Sequence, residues 1–170
     1  EIRHHQTEPT GRVYQRWILA GLKEAQHVTC VSETTRDDLF RLTGIVPDRV
    51  SVIRNGFNFP YRPMREKRFL QHLEEIGLGN VRPFYLHVGS NNWYKNKAGL
   101  LRIYSKMARH RSGKQRNLVI AGTALTASLG ASAQELGIYD GIREASSLSN
   151  EQLRALYSAA EGFIFPSLAE

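Results

Sequence analysis

The chain has almost no cysteine, no long apolar run and none of the common nucleotide fingerprints. Cys30 is the single cysteine in 170 residues. No internal disulfide can form, so a disulfide-stapled secreted scaffold is excluded. No apolar stretch approaches the roughly 20 residues that a membrane-spanning helix needs. The opening Glu1-Ile2-Arg3-His4-His5 is polar and does not resemble a signal peptide, so the expectation is a reducing, cytoplasmic setting. No Gly-x-Gly-x-x-Gly follows a strand pattern, which removes a nicotinamide-type fingerprint. No Gly-x4-Gly-Lys-Ser/Thr occurs, which removes a phosphate loop of the nucleotidase kind. His4 and His5 have no further ligands at zinc spacing. Ser32 has no His/Asp arrangement to make it a nucleophile and reads as a cap or hinge residue.

What the chain does have is positive charge, with a formal balance of +7. Part of it is grouped, as Arg62, Arg65, Lys67 and Arg68, and as Arg102, Lys106, Arg109, Arg111, Lys114 and Arg116. Such a balance suits anionic partners: nucleotides, sugar phosphates, nucleic acid or acidic lipid surfaces. It equally suits an ordinary solvated surface.

Hydrophobic periodicity divides the chain. Tyr14, Trp17, Ile18, Leu22 and Ala25 mark a helical face. His27–Val31 reads as a strand, a helix capped by Thr34 or Thr35 runs to Gly44, and Val50–Ile53 reads as another strand. Asn55-Gly56 is a turn, and Pro60 and Pro63 break the pattern, so a hinge is expected around 57–63, followed by a helix from Arg65 to Ile76. From Phe84 onward strands alternate with helices: strands at Phe84–Val88, Leu118–Ala121, Gly141–Ala145 and Gly162–Phe165, helices at Ala98–His110, Ala127–Leu136 and Glu151–Ala160. That alternation predicts an α/β fold, a Rossmann-like parallel sheet flanked by helices. Ser149 and Gln152 form a capping box at the last helix, Gly162 is expected to stop it, and Pro166 forbids continuation of the last strand.

Ligands of open α/β sheets bind where strands end at their carboxyl edge. Here that edge follows the first strand as Gly89-Ser90-Asn91-Asn92-Trp93-Tyr94-Lys95-Asn96. A pyrophosphate needs backbone donors, a helix N-terminus and a cation. Gly89 permits close backbone approach, Lys95 supplies a cation and Asn96 can cap the next helix. Trp93 and Tyr94 can stack on a ligand or pack on their own domain. Gly122-Thr123 follows the second strand at the same edge. Ser167–Glu170 follows the last.

Three stretches carry a family resemblance. Leu148–Glu170, "LSNEQLRALYSAAEGFIFPSLAE", resembles the segment preceding the Glu-x7-Glu motif of the retaining, nucleotide-sugar-dependent glycosyltransferases of group 1, or family 4. Tyr85–Asn96, "YLHVGSNNWYKN", resembles the first strand and loop of their donor-binding domain. Val28–Leu39 with Val50–Phe57 resembles the end of their first domain and the crossover to the second. The resemblance implies a GT-B fold, with residues 1–57 as the tail of the N-terminal acceptor domain, 58–83 as interdomain hinge and connecting helix, and 84–170 as an incomplete nucleotide-sugar-binding domain. The polypeptide is expected to continue beyond both ends, and these residues alone are expected to be inactive.

The resemblance also implies roles. Gly89, Ser90, Asn91, Lys95 and Asn96 would bind the donor diphosphate. Lys95 matches the family's lysine, while Ser90 stands where an arginine is usual. Glu170 matches the first glutamate of the motif, beside the transferred sugar, so Glu170 and Lys95 are the catalytic candidates. Gly122, Thr123, Arg143 and Ser146 would contact the nucleotide, with Ser146 where relatives often carry glycine. No Asp-x-Asp metal anchor is present, so no metal and no other cofactor is expected, the nucleotide-sugar serving as substrate. The implied acceptor is a sugar, glycan or lipid-linked molecule, with peripheral attachment to the inner face of the membrane and no nucleic acid partner. Two alternatives remain open: an epimerase or phosphorylase on the same scaffold, and a basic nucleic-acid or lipid-surface binding module.

Overall fold

The computed structural model describes residues 9–109 and 116–168. The expectations for His4, His5, Arg111, Lys114 and Glu170 fall outside these residues. The chain divides into two units, 1–58 and 59–170.

The first unit contains α1 (Pro9–Glu24), β1 (Val28–Cys30), α2 (Glu33–Thr43) and β2 (Val50–Val52). The two short strands run parallel, Val28 opposite Val50 and Cys30 opposite Val52. Residues 32–44 show why α2 starts and stops where it does. Ser32 is extended, and its hydroxyl accepts from the Thr35 amide at 3.0 Å. The cap is therefore Ser32, not Thr34 or Thr35. A cap must precede the first helical residue and reach the amide three positions on. Gly44 ends the helix at φ +69°, donating its N–H to the Phe40 carbonyl. The apolar stripe of α1 is real, yet Tyr14, Trp17 and Ile18 stay exposed.

The second unit holds α3 (Glu66–Glu75), β3 (Phe84–Gly89), α4 (Lys97–Arg109), β4 (Asn117–Gly122), α5 (Ala127–Glu135), β5 (Ile142–Ala145), α6 (Asn150–Ala159) and β6 (Gly162–Phe163). Its four strands are all parallel, in the order β5-β4-β3-β6. The first strand of the unit thus lies inside the sheet. The chain winds outward from β3 through β4 to β5, then crosses back to place β6 on the other side of β3. That reversal is a topological switch point.

Both faces of the sheet are covered, which explains why the strand β3 reads as a continuous apolar run rather than an alternating one. Phe84 and Leu86 face one way, onto Phe69 and Leu73 of α3 and Ala155, Leu156 and Ala159 of α6. Tyr85 faces the other way with Leu118, Ile120 and Ile142, onto Leu100, Leu101 and Tyr104 of α4 and Ala133 of α5. Phe69 and Leu73 lie four residues apart on one helical face. Each buried side chain of this size contributes about 1.5–3 kcal/mol. The α3 segment is therefore part of the second unit's core. Tyr104 is also buried. Its hydroxyl donates to the Arg116 carbonyl at 2.7 Å, and burial pushes its pKa up, so it stays a donor.

The capping box forms as expected: the Ser149 hydroxyl accepts from the Gln152 amide at 3.2 Å, and Gln152 Oε1 accepts from the Ser149 amide at 3.0 Å. Helix α6 stops earlier than Gly162. Ala160 is already extended at ψ 140°, and Gly162 lies in β6 opposite Tyr85. Among the described residues no helix is long and apolar enough to cross a membrane.

Candidate functional site

At such a switch point open α/β sheets place their ligand crevice, outside the carboxyl ends of the strands, here the exits of β3 and β6. Backbone pairing between the two strands covers only Tyr85–Gly162 and Leu86–Phe163, after which the Ile164 amide bonds the Leu86 carbonyl at 2.8 Å. Beyond that, the ties pass to loop residues. Asn96 Nδ2 donates to the Pro166 carbonyl at 3.0 Å. The Leu168 amide donates to the Tyr94 carbonyl at 2.7 Å. His87 Nδ1 donates to the Ile164 carbonyl at 3.0 Å.

Asn96 does two jobs. Its Oδ1 accepts from the Gly99 amide at 3.0 Å and so caps α4, while its Nδ2 holds the β6 exit. It does so at φ +53°, a left-handed conformation that asparagine tolerates better than most residues. A Cβ on Gly99 would lie 2.4 Å from Asn96 Nδ2, so this cap needs the glycine in the first turn.

Lys95 lies at the same rim. Its Nζ is 5.6 Å from the ring centre of Phe165, just past β6, and 5.5 Å from that of Tyr94. Its Cδ would be 3.7 Å from a Cβ on Gly89. Lys95 and the Gly89 turn are thus on one rim, with the β6 exit. Glu170 itself is not among the described residues, but Leu168, two positions before it, is tied to the Lys95 loop.

Gly89 and Gly122 end β3 and β4 side by side. Gly122 has φ +112°, and a Cβ there would lie 2.7 Å from the Gly89 carbonyl oxygen. The Thr123 amide donates to that same oxygen at 3.3 Å. Ser90 accepts from the Asn92 amide at 3.4 Å. Asn91 Nδ2 donates to the Ala124 carbonyl at 2.8 Å, joining the two loops.

The two remaining nucleotide-contact candidates belong to β5 and its exit. Arg143 sits mid-strand in β5, the outer strand, and its Nη1 donates to the carbonyls of Asp140 and Ile142 at 2.8 and 2.7 Å. It lines a separate pocket with Thr126, Gly130 and Tyr139. Ser146 is exposed just past β5, and the left-handed conformation there falls on Ser147 at φ +55°. Basic residues of the sequence clusters are partly engaged within the unit: Arg116 pairs with Glu161, and Arg68 lies 3.9 Å from Glu151.

The periodicity argument missed two buried residues, His87 on β3 and Lys97 at the start of α4. His87 is completely buried on β3. Burial lowers its pKa, Lys97 and Lys95 add to the effect, and the bond to Ile164 opposes it. The ring is therefore neutral with its proton on Nδ1. Nε2 is a buried acceptor with no partner among the described residues, close to the Gly89 turn. Lys97 is 4% exposed, and its Nζ donates to Asn91 Oδ1 at 2.8 Å and to the Thr123 carbonyl. Burial lowers its pKa, with Glu144 opposing. The Ser167 hydroxyl is a second buried polar group without a partner among the described residues. Among the described residues no group of three or more His, Cys, Asp or Glu is arranged to hold a metal ion.

Known proteins resemble this chain in sequence and fold. The O-antigen chain mannosyltransferase RfbU of Salmonella typhimurium is 26% identical over 161 residues, 94% of this chain and 41% of that protein. WaaG, a glycosyltransferase involved in lipopolysaccharide biosynthesis, superposes with a TM-score of 0.72 at 17% identity, over 96% of this chain and 44% of WaaG. HepE of Anabaena, solved with UDP and glucose, gives a TM-score of 0.74 at 16% identity, over 93% of this chain and 42% of HepE. These likenesses show the GT-B glycosyltransferase fold. The chain spans about two fifths of the length of the relatives it matches. The family model for Glycosyltransferase Family 4 matches residues 2–59. The model for glycosyl transferases group 1 matches residues 71–170, more than half of the sequence, and by that match the chain belongs to the group 1 glycosyl transferases.

Proposed function

We propose that the crevice between the exits of β3 and β6 binds the diphosphate of a nucleotide-sugar, and that the whole protein transfers the sugar, with retention of configuration, to a glycan or lipid-linked acceptor. The carrying observation is the convergence of the Gly89 turn, Lys95 and the β6 exit on one rim. RfbU, a mannosyltransferase, and HepE, solved with UDP and glucose, support the reading.

Chemically, breaking the bond between sugar and diphosphate leaves negative charge on the departing phosphate. A preorganised cation and exposed amides at that position stabilise the charge as it develops, commonly the largest catalytic contribution. In this reading Lys95 is that cation, and the turn after Gly89 would supply the amides. Glu170 would orient the sugar. No metal or other cofactor enters the proposal, because the lysine takes the charge-neutralising role. An acceptor carried on a lipid would bring the whole protein to the inner face of the cytoplasmic membrane, where basic side chains favour anionic headgroups.

Calorimetric titration of the chain with UDP, GDP and ADP tests the site. One of the three should bind selectively, and Lys95→Ala should weaken it about 10–100-fold, the value of one charge-assisted contact. Binding unchanged in Lys95→Ala would overturn the assignment.

A further inference from the structure

We propose that Lys97 supplies a second positive charge to the diphosphate site, acting from beneath the loop it supports. The inference rests on the donor-binding reading above and adds a residue to it. The loop from Gly89 to Asn96 carries one cationic side chain, Lys95. The next cation, Lys97, is turned inward. It is the first residue of α4, where the helix dipole disfavours positive charge. It is almost fully buried. Its ammonium donates to the Asn91 side chain and to the Thr123 carbonyl, both neutral acceptors. Among the described residues no carboxylate lies within ion-pair distance of it. Glu144 acts on it only at longer range, and its Oε1 is engaged by the Leu125 amide.

A buried ammonium without a counter-ion costs free energy at an unliganded site. Two neutral acceptors do not require it, since an uncharged donor would bridge Asn91 and Thr123 equally well. The cost has a use if an anion arrives. The ammonium lies between the exits of β3 and β4, bonded to both loops, and burial leaves its field poorly screened at the rim. A bound diphosphate provides the missing opposite charge. Lys97 thereby favours a charged ligand over a neutral one of the same shape. It also stiffens the amide-bearing turn through Asn91, which in turn holds the Ala124 carbonyl.

The test uses Lys97→Met, which keeps an unbranched side chain one atom shorter and removes the charge, and the double variant Lys97→Met with Ser90→Arg, which returns a cation to the same loop. Each is titrated with UDP, GDP and ADP and with the matching nucleosides. Lys97→Met should lose about tenfold in diphosphate affinity, the scale of one unscreened charge at a rim of intermediate dielectric. Nucleoside affinity should stay within about twofold, and Ser90→Arg should restore part of the diphosphate loss. Equal losses for nucleoside and diphosphate would identify a mere strut and overturn the proposal. So would a variant that binds the diphosphate as well as the wild type does. Wild-type binding that needs Lys95 but not Lys97 overturns this inference alone, whereas a wild type that binds no nucleoside diphosphate overturns both readings. Where Lys97→Met does not fold, the Lys97 Nζ resonance of the wild type decides. It should shift on addition of UDP and not of uridine, and a resonance indifferent to UDP refutes the role.

Discussion

Replacing Gly122 by alanine should destabilise the second unit by about 3 kcal/mol. Two costs add. Gly122 has φ +112°, a conformation that charges an L-residue about 1–2 kcal/mol. The new Cβ would also stand 2.7 Å from the Gly89 carbonyl oxygen. That oxygen is backbone and is bonded by the Thr123 amide, so relief requires the β3 and β4 exits to separate, at about another 1–2 kcal/mol. Gly137 isolates the first cost. It has φ +68° and open space around its Cβ position, so Gly137→Ala pays only about 1–2 kcal/mol. Urea denaturation followed by circular dichroism compares the two. Thermal midpoints should fall by about 2–4 °C for each kcal/mol. The same separation pulls Thr123 from Lys97, so diphosphate binding should weaken in Gly122→Ala and not in Gly137→Ala. If Gly122→Ala proves no worse than Gly137→Ala on both measures, the two exits are not held at contact distance, and the site as described here is wrong.

Two further outcomes can be measured on the same chain. His87 folds neutral, with burial holding its pKa below the ordinary 6.5. The folded state then binds fewer protons than the unfolded one, so stability is complete above pH 6.5 and declines as pH falls towards the depressed value, by at most about 1.4 kcal/mol per pH unit. His87→Gln should flatten that part of a curve of Tm against pH, and an unaltered slope would show that His87 is not the group responsible. Ser149→Ala removes one half of the capping box at α6 and should cost about 1 kcal/mol in denaturant unfolding. A loss below about 0.3 kcal/mol would mean that tertiary packing alone fixes where α6 begins.

The strand–helix alternation after Phe84 was legible because both periods were clean, and β3, β4, α5 and α6 begin within one residue of where the pattern places them. Ser149 and Gln152 were legible because a capping box is local chemistry. The cap of α2 was misplaced for an equally local reason: Ser32, Thr34 and Thr35 are all competent, and only backbone conformation selects Ser32. His87 was hidden inside an apolar run, where a lone histidine looks like any core position. Its importance comes from Ile164, 77 residues later, which no window of sequence displays. Lys97 did leave a trace. A lysine opening a helix with no acid in its first turn opposes the helix dipole, and that local conflict marks a residue held for another purpose. Position along a strand does not reveal which way the long Arg143 side chain folds. Its guanidinium turns back to Asp140 and Ile142.

Because the β3–β6 ladder gives out after two residue pairs, the mouth of the wedge is set by a few contacts from Asn96, His87 and Leu168 rather than by the sheet. Exchanging residues between 90 and 94 therefore retunes what the mouth admits without touching the interior that holds the unit together. The rim and the interior that holds the unit together are separately adjustable in this molecule.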